Sequence, residues 1–143
     1  MPEIAVRTSV ESSRLPDLLE LFATAWWMND RTLDETTRIL AESDLVFILV
    51  DQDADRLVGF ARVLTDYAHV ALVLDVVVAT EHRGAALGAA LMDAVVSHPR
   101  LAEVLSIELV CQPELVPFYR RWGFSEQVGR SLLMRRTADA RLR

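Results

Sequence analysis

The sequence predicts an α/β (α+β) fold with a mixed, mostly antiparallel central sheet flanked by helices. Three observations predict this class. A strand-like start is followed by two helix-like segments before residue 45. Three apolar, strand-like runs then follow one another between residues 45 and 79, which favours antiparallel neighbours. A strand, a helix and a strand succeed one another between residues 70 and 111, which predicts one parallel crossover.

The first third of the chain is predicted to hold one strand and two helices. Residues 3–10, EIAVRTSV, are typical of a strand. Apolar residues recur at helical spacing and predict an amphipathic helix over about 15–27: Leu15, Leu18, Leu19, Phe22 and Trp26. Thr32 followed by Glu35 is the pattern of a capping box, so a second helix is expected from Leu33 to about Ser43.

The middle of the chain predicts three strands and a helix. LVFILVD at 45–51 and RLVGFARVLTD at 56–66 are strand-like and are joined by a turn at QDAD. HVALVLDVVVA at 69–79 predicts the next strand. A helix over about 84–97 follows and stops near SHP, and its buried stripe is expected to be Leu87, Leu91, Ala94 and Val95.

The last third predicts two strands and a short helix. VLSIELVC at 104–111 is strand-like, and PELVPFYRRWG at 113–123 predicts a short helix with Gly123 as its stop. RSLLMRR at 130–136 predicts a final strand, and about 136–143 is expected to be a frayed tail. Residues 1–143 are therefore expected to form a single domain.

Composition excludes several function classes. Lys and Arg number 15 against 21 Asp and Glu, and the resulting net charge of −6 argues against a nucleic-acid surface. One cysteine, Cys111, cannot form an internal disulfide, and the three histidines lack metal-ligand spacing, so no metal site is expected.

The apolar runs are shorter than the roughly 18 residues of a membrane helix, and the first residues lack a signal-peptide pattern. A cytoplasmic protein that does not bind membranes is expected.

The turn from the strand at 69–79 to the following helix has the sequence HRGAALG, residues 82–88. Such a turn is either a plain connection or an anion site, because the first N–H groups of a helix have no internal partner. A second short motif, Phe118-Tyr119-Arg120-Arg121-Trp122-Gly123-Phe124, follows the next strand.

With these two motifs in this order, the sequence resembles the GNAT superfamily of N-acetyltransferases from about residue 4 to residue 135. The turn matches the family's acetyl-CoA pyrophosphate loop as Arg83-Gly84-Ala85-Ala86-Leu87-Gly88, and the second segment matches the family's C-terminal aromatic-Gly-Phe motif. The resemblance implies a GNAT fold and transfer of an acetyl group from acetyl-CoA directly to a primary amine. The acceptor implied is a small amine or amino-acid-like metabolite first, and a protein amine second.

The resemblance also implies which residues bind the cofactor. Backbone N–H groups of residues 84–89, ending at Ala89, would hold the diphosphate, with Arg83 adding charge. Val76, Val77 and Val78 would polarise the thioester carbonyl, and pantetheine would pair with the same strand edge. Gln112 is either a cofactor contact or loop surface. Ala86 stands where the family has glycine, and alanine is expected to preserve the site because it costs little in a helical conformation.

Tyr119 matches the family's general acid for the leaving thiolate. A phenol with a pKa near ~10 and a thiol with a pKa near ~8.5 are close enough for useful proton transfer. The general base is less clear, because the family's fifth-strand glutamate corresponds to Ile107 and Glu108 would face the other way. Asp75 interrupts an apolar strand, so it is either a base or acceptor ligand together with Arg62, or an ion pair with Arg62.

Trp26 and Trp27 lie in the segment that covers the acceptor pocket in the family. Adjacent residues cannot both face the core from one helix, so one is expected to pack inside and the other to line the pocket. Core packing plus a homodimer contact is the alternative. A CoA-binding sensor or interaction module without turnover is the alternative to an enzyme, because of Ala86 and the missing fifth-strand glutamate.

Overall fold

Five strands form one sheet in a computed structural model that describes residues 2–82 and 86–143. Their order across the sheet follows the chain: β1 (Ile4–Arg7), β2 (Leu45–Asp51), β3 (Arg56–Thr65), β4 (Val70–Val78) and β5 (Ser106–Leu109). Strands β1 to β4 pair with one another in antiparallel fashion, and β5 runs parallel to β4. This mixed, mostly antiparallel sheet confirms the predicted fold class and the predicted crossover.

Four α-helices are described: α1 (Leu15–Phe22), α2 (Leu33–Glu42), α3 (Leu87–Val96) and α4 (Val116–Arg120). The longest described helices contain 10 residues, about half of what a membrane crossing requires. Helix α2 begins where the capping box predicts, because Thr32 Oγ1 accepts from Glu35 N and Glu35 Oε1 accepts from Thr32 N, both at 3.1 Å.

Helix α1 is shorter than the predicted span of 15–27. Beyond Phe22, the amides of Thr24 and Ala25 donate to carbonyls three residues back, so the backbone tightens into turns. Trp26 therefore does not continue the apolar stripe of the helix.

Helix α1 and the end of α3 cover opposite faces of the sheet. Phe22 of α1 packs edge to face on Phe60 of β3, with ring centroids 5.4 Å apart. Phe47 of β2 meets the His98 ring, just after α3, at 5.7 Å. Phe47 pairs with Ala61, the chain neighbour of Phe60, and neighbours along a strand point to opposite faces. Helix α1 and the end of α3 therefore lie on opposite faces, with fully buried side chains of β2 and β3 between them.

The sheet and the first three helices belong to a compact unit that ends at Val110, and Cys111–Arg143 forms a second compact unit. Helix α4 of the second unit is followed by Gly123, whose φ of 85° is the left-handed conformation of a glycine helix stop. The last residues include one short 3₁₀ turn, Ala140–Leu142.

The final strand expected at residues 130–136 is absent, and residues 111–143 contain no strand at all. Leu132 and Met134 are 88% and 90% exposed. An apolar sequence forms a strand only where a neighbouring strand pairs with its backbone and its side chains are covered. The pattern RSLLMRR therefore predicted a conformation that this part of the chain does not adopt.

Candidate active site

Strand β4 extends beyond its ladder with β5. The parallel pairs run from Val70 with Ser106 to Val73 with Leu109, whereas β4 continues to Val78. We call residues Leu74–Val78 the splayed half of β4. Backbone groups on the β5 side of this half have no partner in the β5 ladder, so an extended ligand can pair with them as an added strand.

The splayed half begins with a β-bulge. Arg62 of β3 pairs with Leu74, and Phe60 pairs with Val77. One residue of β3 therefore faces two residues of β4, Asp75 and Val76. Asp75 has a φ of 57°, the left-handed conformation that Asp and Asn adopt more readily than most residues. The bulge turns the strand at the point where it leaves β5.

The register with β3 decides which N–H groups of β4 point to the β5 side. The amide of Ala79 donates to the Val58 carbonyl on β3 at 2.8 Å. Because successive amides of a strand alternate in direction, the amide of Val77 also points to β3. The amides of Val76 and Val78 then point to the β5 side. The carbonyl-polarising role of Val76, Val77 and Val78 stays a prediction, and of the three amides only that of Val77 points to β3.

Asp75 lies between two arginines. Its carboxylate accepts a two-pronged pair of bonds from Arg31, Nη1 to Oδ2 at 2.8 Å and Nη2 to Oδ1 at 3.0 Å. Arg62 Nε donates to Asp75 Oδ2 at 2.6 Å. The three side chains are largely buried, with 5% of Asp75, 16% of Arg31 and 14% of Arg62 exposed. We call these three residues the arginine–aspartate triad.

The triad decides the ionisation of Asp75. Burial alone raises the pKa of this carboxyl, but hydrogen bonds and charge from Arg31, and then from Arg62, outweigh it and leave the pKa below its ordinary value of 3.8. A carboxylate with a lowered pKa accepts a proton less readily. The contacts therefore favour the ion-pair hypothesis for Asp75 and Arg62 over the general-base hypothesis.

The N-terminus of α3 lies in the same unit as the splayed half of β4. Leu87, Gly88 and Ala89 form the first turn, and the amide of Ala90 is the first to donate to the helix, to Ala86 O at 3.1 Å. The first turn contains no acidic residue, and Ala86 has no side chain that could cap it. Amides in this arrangement fit an anion. Arg83, Gly84 and Ala85 lie outside the described residues.

Ala86 adopts a conformation that differs from the expected one. It has φ 61° and ψ 18°, so it is left-handed rather than helical. The expectation that alanine costs little at this position assumed a helical backbone and is wrong. A Cβ in the left-handed region costs about 1 kcal/mol, a cost that a glycine at this position would avoid.

Replacing Ala86 with glycine is therefore expected to raise the free energy of unfolding by about 0.5–1 kcal/mol, since the left-handed strain is relieved. Ala89→Gly is the matched control, because it removes the same methyl group from a helical position and should lower the stability by a similar amount. Urea denaturation of both variants measures the difference. A lower stability for Ala86→Gly would contradict the assignment of strain.

The tryptophan pair divides as predicted between core and surface. Trp27 packs against the core, whereas 48% of Trp26 is exposed. Their rings contact edge to face at 5.6 Å. An exposed indole held by a half-buried one is suited to an apolar or aromatic ligand or to a protein contact. Both alternatives for Trp26, pocket wall and dimer contact, remain open.

Tyr119 and Gln112 belong to the second unit. Tyr119 is 7% exposed, and its ring contacts Phe118 at 5.0 Å and Phe124 at 6.1 Å. Burial, with a smaller effect from the charge of Cys111, raises the pKa of Tyr119 to about 12. This pKa is further from that of a thiol, ~8.5, than the ordinary tyrosine value of ~10 expected from the sequence. Gln112 stands at the start of a 3₁₀ turn, Pro113–Leu115, and does not cap it with its side chain.

Sequence reasoning missed Arg31. It lies 44 residues from Asp75, between two helices, in a segment with no periodic pattern, so nothing local marks it as a partner. A buried carboxylate in an apolar strand was the available signal, because such a group requires a cation. Among residues 2–82 and 86–143, no three His, Cys, Asp or Glu side chains cluster in a way that would hold a metal ion.

Comparison with known sequences identifies the fold family. Residues 21–134 match the family described as Acetyltransferase (GNAT) domain. An uncharacterized N-acetyltransferase, ycf52, of Porphyra purpurea is 30% identical over 119 residues, which cover 82% of this chain and 68% of that protein. Serotonin N-acetyltransferase 2 of rice, named as chloroplastic, is 35% identical over 123 residues, which cover 85% of this chain but only 61% of the rice protein.

A solved structure agrees along almost the entire chain. The crystal structure of a protein from Xanthomonas campestris that is described as belonging to the GNAT family superposes with a TM-score of 0.80 at 35% identity, over 96% of this chain and 95% of that one. The fold described above and the similarity in sequence over most of the domain therefore point to the same family. This protein belongs to the GNAT family of acetyltransferases.

Proposed function

We propose that this protein transfers the acetyl group of acetyl-CoA directly to a primary amine. The splayed half of β4 is the observation that carries the proposal. It offers the amides of Val76 and Val78 on an edge that β5 does not pair, and the chain then leads to the N-terminus of α3. A thioester attached to a diphosphate requires both features, an extended strand edge and an anion site.

Two groups of backbone amides would hold and activate acetyl-CoA. The first-turn amides of α3, at Leu87, Gly88 and Ala89, would bind the diphosphate together with residues 83–85 of the loop. Pantetheine would pair with the β5 side of the splayed half of β4. An amide of Val76 or Val78 would donate to the thioester oxygen, where negative charge develops as the amine attacks.

The transfer requires one proton donor. The neutral amine nitrogen forms a bond to the carbonyl carbon, the C–S bond breaks, the nitrogen releases one proton to water, and the thiolate takes a proton. We assign the donor role to Tyr119 on the family motif. With a pKa of about 12 it stays protonated at neutral pH. It donates a hydrogen bond to the developing thiolate and passes its proton to the sulfur as the C–S bond breaks. This transfer is uphill, and reprotonation of the phenolate by solvent completes it.

The acceptor is a small primary amine or an amino-acid-like metabolite in the first place, and a protein amine in the second. The name of the rice relative adds an aromatic amine to the small-amine class. The exposed face of Trp26 supports this addition, since an indole can stack on an aromatic acceptor. Some relatives are named as chloroplastic proteins, so the cytoplasmic location expected for this protein stays a prediction.

A CoA-binding module without turnover is the second candidate. Ala86 favours it, because its Cβ stands where the family's loop has a glycine that lets the backbone approach the phosphates. Ile107 at the place of the family's fifth-strand glutamate also favours it.

Calorimetric titration with acetyl-CoA, followed by assay of free CoA release with an amine panel, tests the proposal. The panel holds serotonin, a polyamine, free amino acids and a peptide with a free N-terminus. Micromolar binding with CoA release above spontaneous hydrolysis is expected. Binding without release for every amine supports the module, and absence of binding contradicts both candidates.

A further inference from the structure

The arginine–aspartate triad joins the segment between α1 and α2 to the bulge of β4. Arg31 belongs to the connecting segment, Asp75 is the left-handed residue of the bulge, and Arg62 lies on β3. Arg31 is itself held from three sides. Its guanidinium lies 4.7 Å from the centroid of the Phe22 ring, its Nη1 donates to Met28 Sδ at 3.4 Å, and both Nη atoms bind Asp75.

A left-handed aspartate persists only where its surroundings hold it, because this conformation is unfavourable by itself. Without Arg31, Arg62 would hold the carboxylate by one oxygen only, Oδ2. The two Nη atoms of Arg31 bind both oxygens, so they restrict rotation of the carboxylate about the Cβ–Cγ bond of Asp75. The orientation of Asp75 in turn sets the backbone on which Val76 and Val78 present their amides.

From these contacts we infer that Arg31 is a positioning residue for the transfer reaction: through Asp75 it holds the β4 bulge and aims the carbonyl-polarising amides. The inference rests on the proposed function for its consequence in catalysis, but the structural part concerns the protein alone. Arg31 acts without touching the acetyl group. It also links the segment that carries Trp26 to the strand that would hold the cofactor.

The variant Arg31→Met tests this role. Methionine keeps apolar packing on Phe22, and Asp75 retains Arg62, so no carboxylate is left unpaired and the fold should persist. The first readout is the Cα chemical shift of Asp75 in the protein without ligand, which differs between left-handed and extended backbone. We expect this shift to move towards extended values in the variant.

The second readout is the carbonyl carbon of [1-¹³C]acetyl-CoA. In the wild-type protein, hydrogen bonding should move this resonance downfield on binding, and Arg31→Met should lose most of that movement. The dissociation constant should change less than about threefold, because the diphosphate contributes the larger part of the binding. Once an acceptor is known, kcat should fall on the order of tenfold while KM for acetyl-CoA stays nearly constant.

Arg14→Met is the matched control. Arg14 is 11% exposed and pairs at 3.0 Å with Asp55, another left-handed aspartate, but in the turn between β2 and β3. This control should leave both readouts at β4 unchanged. The control therefore distinguishes the general effect of removing a buried arginine from the specific effect of removing the Arg31–Asp75 contact.

The outcomes are distinguishable. Unchanged Asp75 and carbonyl shifts in folded Arg31→Met would overturn the inference. If that variant does not fold, Arg31→Lys replaces it, because lysine keeps the charge but not the planar fork, and unchanged shifts would again overturn the inference. If wild-type protein does not bind acetyl-CoA, the proposed function fails, and the Asp75 shift in the free protein still decides the role of Arg31.

Discussion

Replacing Tyr119 with phenylalanine should lower the turnover number for amine acetylation on the order of 100-fold and leave acetyl-CoA binding unchanged. Phenylalanine fits the buried position, where the ring contacts Phe118 and Phe124. Only the hydroxyl group is lost, and with it the hydrogen bond to the leaving thiolate. Steady-state release of free CoA measures the turnover, and calorimetry measures the dissociation constant.

Tyr67→Phe is the control for this prediction. Tyr67 also loses one hydroxyl group, which donates to the Asp44 carbonyl at 3.2 Å in the first unit. It should keep full turnover. Equal turnover of Tyr119→Phe and wild type would remove Tyr119 from the mechanism and favour a proton donor from solvent.

The pH dependence gives a further check on Tyr119. Burial raises its pKa to about 12, so the neutral phenol is favoured in the folded state. Its ionisation therefore cannot produce a fall in activity near pH 9. Because the unfolded pKa is near ~10 and the folded pKa is higher, stability contributed by this group is complete below pH ~10 and is lost as the pH rises towards 12.

Gly88→Glu should weaken acetyl-CoA binding on the order of 100-fold. Gly88 is the second residue of α3, among the amides that would hold the diphosphate. A carboxylate about 6 Å from one phosphate charge costs about 3 kcal/mol at an effective dielectric constant of 20. The same carboxylate interacts favourably with the helix N-terminus, so the variant should fold as stably as the wild type.

Gly88→Gln separates charge from size, since glutamine has the shape of glutamate without its charge. Its dissociation constant should rise far less than that of Gly88→Glu. Raising the salt concentration should narrow the gap between the two variants, because exposed charges are screened. Equal losses in both would indicate a steric effect, and no loss in either would place the diphosphate elsewhere.

Local patterns predicted most of the fold. Apolar, strand-like runs marked β2, β3 and β4, and the capping box at Thr32 and Glu35 marked the start of α2 to the residue. The parallel crossover followed from the order of strand, helix and strand. These features depend on residues close together in sequence, where periodicity and capping chemistry act.

Features that depend on distant residues escaped prediction. The pairing of Arg31 with Asp75 spans 44 residues. The left-handed φ of Ala86 runs against alanine's own preference, and no pattern in the sequence marks it. The expected strand at 130–136 failed for the same reason, because its existence depends on a partner strand. In the candidate site, the motif residues were found by resemblance, whereas the ionisation of Asp75 required its three-dimensional contacts.

The unequal charge of the arginine–aspartate triad has a consequence for sequence variation. Loss of either arginine leaves a one-to-one pair, whereas loss of Asp75 leaves two buried guanidinium groups facing each other with no carboxylate. As far as buried charge is concerned, either arginine can therefore change before the aspartate, although loss of Arg31 would slow the proposed transfer. The aspartate cannot change first, so the order in which these three positions vary along a lineage is constrained by the physics of a single buried carboxylate.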